Sequence, residues 1–170
     1  MVTMGVDVLR DSIVPQRDYL WDMLVPAPPG GGESDVLNVR CQSSSLPGRS
    51  VGSIHIPYKQ SAGIKVPGKL TYSHTWDCVF VEGEDKKVFE AIYAWLQAVI
   101  DDYDGVGDGD NEIKADVYLT LQATKGSITR KIKLVGCYPE SLADVGVDYA
   151  SEGTVRYSVT FSYDRWEDVA

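Results

Sequence analysis

Strict alternation of apolar and hydroxyl-bearing side chains near residue 160 is the strongest constraint on the fold. In VRYSVTFSYDRW (155–166), the odd positions from Val155 to Tyr163 are apolar or aromatic, and the even positions are mainly Ser, Thr and charged residues. A period of two is typical of a strand with one buried face. The other face is unusual because short hydroxyl side chains replace the Lys and Glu that usually face water.

Similar alternation predicts strands along much of the chain. Residues 70–80, LTYSHTWDCVF, repeat the pattern, which predicts one strand with His74 on its apolar side. Residues 17–26 and 36–43 flank a Pro/Gly tract, which predicts a hairpin with a long tip. The TKGS sequence at 124–127 predicts a tight hairpin turn between two further alternating segments.

One segment has a helical period instead. Apolar residues recur at spacings of three and four in the predicted helix, about residues 85–101, and Asp85 is the predicted N-cap. About seven to eight strands with one helix and no βαβ alternation predict a mainly β fold, a β-sandwich or barrel of antiparallel strands with one packed α-helix.

Length, charge and cysteine content limit the classes of protein that fit. The 170 residues suit a single domain over 1–170 with an N-terminal arm at about 1–16, and the net charge of −9 disfavours gripping nucleic acid by charge. No apolar run approaches the roughly 20 residues of a transmembrane helix, so we expect a soluble chain without a membrane anchor. Cys41, Cys78 and Cys137 lack ligand spacing, which predicts buried, reduced thiols.

Motifs for catalysis or cofactor binding are weak. GIKVPGKL (63–70) approaches a phosphate-binding loop, but Leu70 stands where the motif requires Ser or Thr. The acidic segment 101–112 fits no EF-hand register. His55 and His74 have no Cys, Asp or Glu at ligand spacing. We therefore expect a protein that is not an enzyme and has no cofactor and no metal site.

Three segments, covering about residues 17–167 in order, carry a family resemblance. VRCQSSSLPGRS (39–50) holds a Ser-Leu-Pro-Gly turn, the aromatic and hydroxyl alternation after residue 70 leads to a helix with Trp95 near its middle, and a turn at Pro139 precedes VTFSYDRW. Together these features resemble the tail tube proteins of contractile-tailed bacteriophages, of the T4-like tail tube family.

The resemblance implies a structural protein of the virion tail. In that family, hexameric rings with a continuous inner β-barrel stack into a hollow tube that conducts DNA from capsid to host during ejection, inside a contractile sheath. The implied partners are further copies of the chain, the sheath protein, the baseplate tube initiator, the tail terminator and the tape-measure protein. Genomic DNA would transit the lumen without specific binding, and assembly would take place in the host bacterial cytoplasm.

The hydroxyl-bearing faces suit such a channel, because a dense Lys/Arg lining would bind phosphates and stall DNA. The predicted lumen-facing residues are Thr71, Ser73, Thr75, Asp77, Ser158, Thr160, Ser162 and Asp164.

The Pro- and Gly-rich stretch at about 47–68 is predicted to be an extended loop that contacts other subunits. A free loop with that many large apolar side chains would expose an adhesive patch, so we expect a partner surface to cover it. The predicted contact residues are Pro47, Ile54, Ile56, Tyr58, Ile64 and Val66.

The sequence leaves other functions open. Within the same fold, the alternatives are a tube initiator at the baseplate or the tube of a related contractile injection system, such as type VI secretion or a phage-like bacteriocin. A different class is a β-sandwich ligand-binding module in which the segment 101–112 holds calcium. A hydrolase on a β-sandwich is a further alternative, although the sequence has no recognisable nucleophile motif.

Overall fold

Antiparallel strands build most of the molecule. The computed structural model describes residues 6–169. The strands within this range are β1 (Trp21–Leu24), β2 (Cys41–Ser44), β3 (Arg49–Tyr58), β4 (Ser61–Tyr72), β5 (Thr75–Val81), β6 (Ala115–Gln122), β7 (Ile128–Leu142), β8 (Arg156–Ser162) and β9 (Arg165–Asp168). The helices are α1 (Val6–Ser12), α2 (Ser34–Arg40), α3 (Lys87–Val99) and α4 (Asp110–Ile113). None of these helices has the length and apolar composition needed to span a bilayer.

The long strand β7 belongs to two sheets. The strand order is β1-β6-β7-β8-β5-β2, and β9 also pairs with β7. The first part of β7 pairs with β6 and β9, whereas residues 138–142 pair with β8. Gly136 lies at the change of sheet with a φ of 70°, and a Cβ there would meet the Asp164 carboxylate. The chain therefore bends at Gly136, which produces a β5–β8 sheet (β2, β5, β8 and residues 138–142) and a β6–β7 sheet (β1, β6, β9 and residues 128–137).

Aromatic side chains fill the space between these sheets. Trp76 on β5 and Phe161 on β8 are fully buried, and their ring centroids lie 5.1 Å apart. Trp95 of α3 lies on the other side of Phe161, at 5.7 Å. Aromatic pairs of this kind add about 0.5–1.5 kcal/mol beyond the burial of their area. The predicted mainly β class, with a helix packed on the sandwich, is confirmed.

Helix α3 lies inside the predicted range, but its N-terminus is capped in a different way from the prediction. Asp85 is not the N-cap; Lys86 takes that position with a φ of 56° and makes no capping side-chain hydrogen bond. The Glu82 carboxylate instead accepts hydrogen bonds from the amides of Val88 and Phe89, at 3.3 and 2.8 Å. An anionic acceptor at this end satisfies free amides and suits the helix dipole.

The prediction of one helix and of a hairpin between residues 17–26 and 36–43 is wrong. Residues 34–40 form helix α2, β1 pairs with β6, and β2 pairs with β5. The Val-rich sequence of α2 favours strands locally, but burial of Leu37 in the core stabilises the helical turn. Part of the predicted N-terminal arm, residues 6–12, forms α1, and residues 1–5 lie outside the described range.

Residues 70–80 form the end of one strand and the start of another, rather than a single strand. His74 lies between β4 and β5, is exposed, and has a φ of 58°. A residue in the left-handed conformation interrupts the alternation of a strand. The prediction that His74 lies on the apolar side of a strand is therefore wrong. Its Nδ1 lies 3.0 Å from the carbonyl oxygen of Tyr163, which fixes the ring at the edge of the sandwich.

Residues 49–72 form a long hairpin of β3 and β4, where an extended loop at about 47–68 was predicted. Gly52 and Gly68 face each other closely, since a Cβ on Gly68 would lie 3.0 Å from the backbone of Gly52. Glycine at both positions lets the two strands stay paired through the bulge in their register. The predicted turn at TKGS is confirmed: the Ala123 amide donates to the Ser127 carbonyl at 2.8 Å.

Candidate functional site

The outward side of the β5–β8 sheet carries a row of short polar side chains. The register places Thr75 opposite Ser162, and Asp77 opposite Thr160. Thr160 Oγ1 donates to Asp77 Oδ1 at 2.8 Å. Ser158 lies two residues before Thr160 in β8, so its side chain points to the same side of the sheet. Five of the eight residues predicted to line a lumen therefore lie together on one surface.

The other three predicted lumen residues lie elsewhere. Thr71 is on the hairpin, with its Oγ1 2.7 Å from Ser50 Oγ. Ser73 lies between β4 and β5, with its Oγ 3.1 Å from the hydroxyl of Tyr163. Asp164 follows the end of β8 and forms an ion pair with Lys114 at 3.2 Å. The structure does not bring these residues into the row on β5 and β8.

Two hydroxyl residues that sequence reasoning missed extend the row onto the neighbouring strands. Ser43 of β2 lies opposite Val79, and Ser141 of β7 lies opposite Thr160. Directly opposed residues point to the same side of a sheet, so both belong to this surface. Strand pairing alone reveals them, since β2 is short and β7 has a bulge beside Ser141. We name this surface the hydroxyl face: Ser43, Thr75, Asp77, Ser141, Ser158, Thr160 and Ser162.

The sheet that carries the hydroxyl face ends in unpaired strands on both sides. Within residues 6–169, β2 pairs only with β5, and residues 138–142 pair only with β8. Each edge therefore presents backbone amides and carbonyls without a strand partner. Soluble proteins usually protect such edges, because they can pair with another chain.

The β3–β4 hairpin extends from the molecule, and only Tyr72, at the end of β4, is among the hydrophobic residues packed against the core. All ten residues of β3 are exposed. The pairs Ile54–Val66 and Ile56–Ile64 lie on one face, and 61% of Ile64 is exposed. An isolated two-stranded hairpin is marginally stable in water. The predicted contact residues from Ile54 to Val66 thus form an amphipathic ribbon, while Pro47 precedes it at the base.

The base of the hairpin is held in place by the last strand of the chain. The indole Nε1 of Trp166, on β9, donates to the Gly48 carbonyl at 3.1 Å. At the other side of the base, the Ser45 amide donates to the Asp77 carbonyl at 3.3 Å. These bonds fix the direction of the hairpin relative to the hydroxyl face.

A charged cluster fixes α3 against the start of β2. Arg40 forms two hydrogen bonds with Asp85, each of 2.7 Å, and also contacts Glu82 at 3.5 Å. The Arg40 guanidinium lowers the pKa of the Asp85 carboxyl to about 2. The Arg40–Asp85 pair therefore stays ionised at neutral pH, and Arg40 joins the end of helix α2 to the N-terminus of α3.

Within residues 6–169, the titratable groups do not form a cluster suited to metal binding. Burial raises the pKa of Cys137 to about 12, and it also raises the pKa of Cys78. A protonated, buried thiol is a poor nucleophile and metal ligand. A cleft of about 500 Å³ beside His74 includes Asp108, but no group of three or more His, Cys, Asp or Glu residues within the described range could hold a metal ion.

Comparison with solved structures shows the same fold in contractile injection systems. The tube-terminating cap of the anti-feeding prophage superposes with a TM-score of 0.69 at 17% identity, covering 92% of each chain. A chain from the PVC sheath/tube terminator gives 0.69 at 18% identity, covering 94% of this chain and 99% of that one. A chain from the PVC sheath-tube complex gives 0.64 at 17% identity, covering 99% of both.

Comparison of sequences gives the family directly. No curated protein sequence matches the chain significantly. The model of the family described as phage tail tube protein matches residues 22–168, which include the whole β5–β8 sheet, the hairpin and α3. Proteins of this family are structural components of tails rather than enzymes. The chain therefore belongs to the phage tail tube protein family.

Proposed function

We propose that this protein is the repeating subunit of a contractile phage tail tube, in which six copies form a ring. The observation that carries the proposal is the β5–β8 sheet with its two unpaired edges. Pairing of β2 in one copy with residues 138–142 of the next would satisfy both edges at once and close a continuous inner barrel.

The hydroxyl face would line the channel of this ring. It offers hydroxyl groups and one carboxylate, Asp77, and Arg156 at the far end of β8 is the single cation on this side of the β5–β8 ladder. DNA affinity comes mainly from cations that neutralise phosphates. A wall with this chemistry would let DNA slide during ejection without holding it.

The hairpin would join one ring to the next, and the outer surface would face a contractile sheath. An exposed apolar ribbon needs a partner surface, and stacked copies of the same ring supply one at every level. The baseplate initiator, the tail terminator and the tape-measure protein would contact the ends and the interior of this polymer.

Negative-stain electron microscopy of the purified protein tests the assembly directly. We expect hexameric rings and hollow tubes with a central channel. A protein that stays monomeric over a range of concentration and salt would contradict the proposal. The length of the polymers separates a tube subunit from an initiator or a terminator, since those proteins should stop after one or two rings.

Removal of the hairpin tests its role in stacking. Replacing residues 53–67 with Asn-Gly should leave the thermal unfolding midpoint nearly unchanged, because β3 and β4 make their extensive contacts only with each other. We expect this variant to form rings that do not lengthen. Tubes of normal length from the variant would show that the hairpin is not needed for stacking.

A further inference from the structure

The β3–β4 hairpin differs in charge from the rest of the chain. It contains four basic residues, Arg49, Lys59, Lys65 and Lys69, and none of the 25 acidic residues. The three lysines are exposed. The whole chain has a net charge of −9, so the hairpin is a basic and apolar extension of an acidic protein.

The loop that joins β7 and β8 has the opposite charge. Residues 143–155 carry Asp144, Asp148 and Glu152, Glu140 precedes them in β7, and there is no Lys or Arg between Leu134 and Val155. The loop also exposes two large apolar side chains: Val147 is 84% exposed, and Tyr149 is fully exposed. We name residues 143–155 the acidic loop. Like the hairpin, it leaves apolar surface uncovered.

The hairpin and the acidic loop project from opposite ends of the β5–β8 sheet. The hairpin leads directly into Thr75, which is opposite Ser162 in the register. At the other end, Val81 is opposite Arg156. Both ends of the loop are attached there: the Glu82 amide donates to the Val155 carbonyl at 3.0 Å, and the Ala143 amide to the Ser158 carbonyl at 2.9 Å.

The seven-residue ladder of β5 and β8 separates these two ends by roughly 20 Å. A subunit with complementary surfaces at opposite ends of one sheet can repeat head to tail, and such a contact does not close on itself. The opposite charges of the hairpin and the acidic loop also favour this direction of repeat, because two hairpins or two acidic loops would repel each other.

We propose that the hairpin of one copy docks on the acidic loop of a second copy in the next ring, with Lys65 and Lys69 near Asp144 and Asp148. This inference rests on the proposed tube function and adds the acceptor surface to it. The apolar ribbon from Ile54 to Val66 would cover Val147 and Tyr149 in the same contact. The contact gives the tube a direction, since each ring presents its hairpins at one end and its acidic loops at the other.

Charge reversal on each side of the contact tests the inference. We expect Asp144→Lys with Asp148→Lys to form rings but to yield at least about tenfold less sedimenting tube than the unmodified protein, because every ring contact gains a repulsion. Lys65→Glu with Lys69→Glu should do the same. The chain that carries all four substitutions should recover tubes, which a general loss of folding would not allow.

A second acidic segment supplies the matched control. Residues 101–112 are also acidic, but Asp108 shares a cleft with His74 and Ser162, at the hairpin end of the sheet. Asp104→Lys with Asp108→Lys should therefore leave tube yield within about twofold of the unmodified protein, since positive charge at the hairpin end adds no repulsion toward the acidic loop of the next ring.

The outcomes separate the two proposals. Normal tubes from both pairs of charge-reversed variants, or no recovery in the combined variant, would overturn the hairpin–loop contact while leaving ring formation intact. A partner other than a second copy, such as the sheath, would appear as normal tubes from these variants and would likewise overturn it. Absence of rings and tubes in the unmodified protein would instead contradict the tube function itself.

Discussion

Asp85 and Arg40 form an ion pair whose contribution to stability depends on pH. The Arg40 guanidinium lowers the pKa of Asp85 from 3.8 to about 2 in the folded protein. Because the folded pKa lies below the unfolded value, the carboxylate stabilises the fold fully above about pH 4. That stabilisation is lost as the pH falls through 2, where the folded protein also binds the proton.

We predict that Asp85→Asn lowers the urea midpoint at pH 7 and that the difference from the unmodified protein disappears near pH 2. Equilibrium urea unfolding at a series of pH values measures this difference. Asp18→Asn, at an exposed position, is the control and should change the midpoint little at any pH. An equal loss at pH 7 and pH 2 for Asp85→Asn would indicate lost packing rather than lost charge.

At the scale of elements, the bend in β7 depends on a single glycine. Gly136 has a φ of 70°, and its missing side chain leaves room for the Asp164 carboxylate, which pairs with Lys114. An alanine there would adopt a backbone conformation that is unfavourable for a residue with a side chain, and its Cβ would displace that carboxylate. We predict that Gly136→Ala destabilises the fold by about 1–3 kcal/mol, measured by urea unfolding.

A comparison with Gly126 tests whether the location matters. Gly126 has a similar φ of 82°, but a Cβ there would meet nothing within 4 Å. Gly126→Ala should therefore carry the backbone cost alone, roughly 1 kcal/mol. Equal losses for the two variants would show that the close approach of Asp164 does not contribute.

Local sequence predicts the strands of this fold better than their partners. The alternation from Tyr157 to Tyr163 gives the buried side of β8 correctly, because a period of two is a local property. Pairing is not local: β2 lies beside β5, and β1 beside β6, which no pattern in either short strand reveals. Ser43 and Ser141 join the hydroxyl face through that pairing.

The sequence did not predict the pairing of β3 with β4, for a different reason. The Pro and Gly content of this hairpin is typical of loops, yet Gly52 and Gly68 permit close pairing, and Pro57 and Pro67 lie beside irregularities in the register. His74 shows the reverse error. Its apolar neighbours suggested a continuous strand, but its left-handed backbone separates β4 from β5.

At the scale of the whole molecule, the charge of the channel wall in the proposed tube should govern DNA passage. We predict that Ser158→Lys, introduced into a phage that carries this gene, leaves tail assembly unchanged but slows DNA ejection, because a ring of six lysines at each level would bind phosphates. Ejection is measured by the fluorescence of a DNA dye after triggered contraction. Raising the salt concentration should restore the rate, since this binding releases counterions.

Ser158→Asn controls for the change of side chain at the same position. It should eject DNA at the normal rate because it adds no charge. Normal ejection by the Ser158→Lys particles at low salt would show that Ser158 does not face the channel. Loss of assembled tails would show that this position is needed for contacts between subunits.

The passage of β7 through both sheets has a mechanical consequence. The 15 residues from Ile128 to Leu142 run without interruption from the β6–β7 sheet into the β5–β8 sheet. A force applied to the β5–β8 sheet is therefore carried into the other sheet along covalent bonds, rather than only across side-chain contacts between the sheets. In a tube driven through a cell envelope, each subunit would resist shear between its layers with its own backbone.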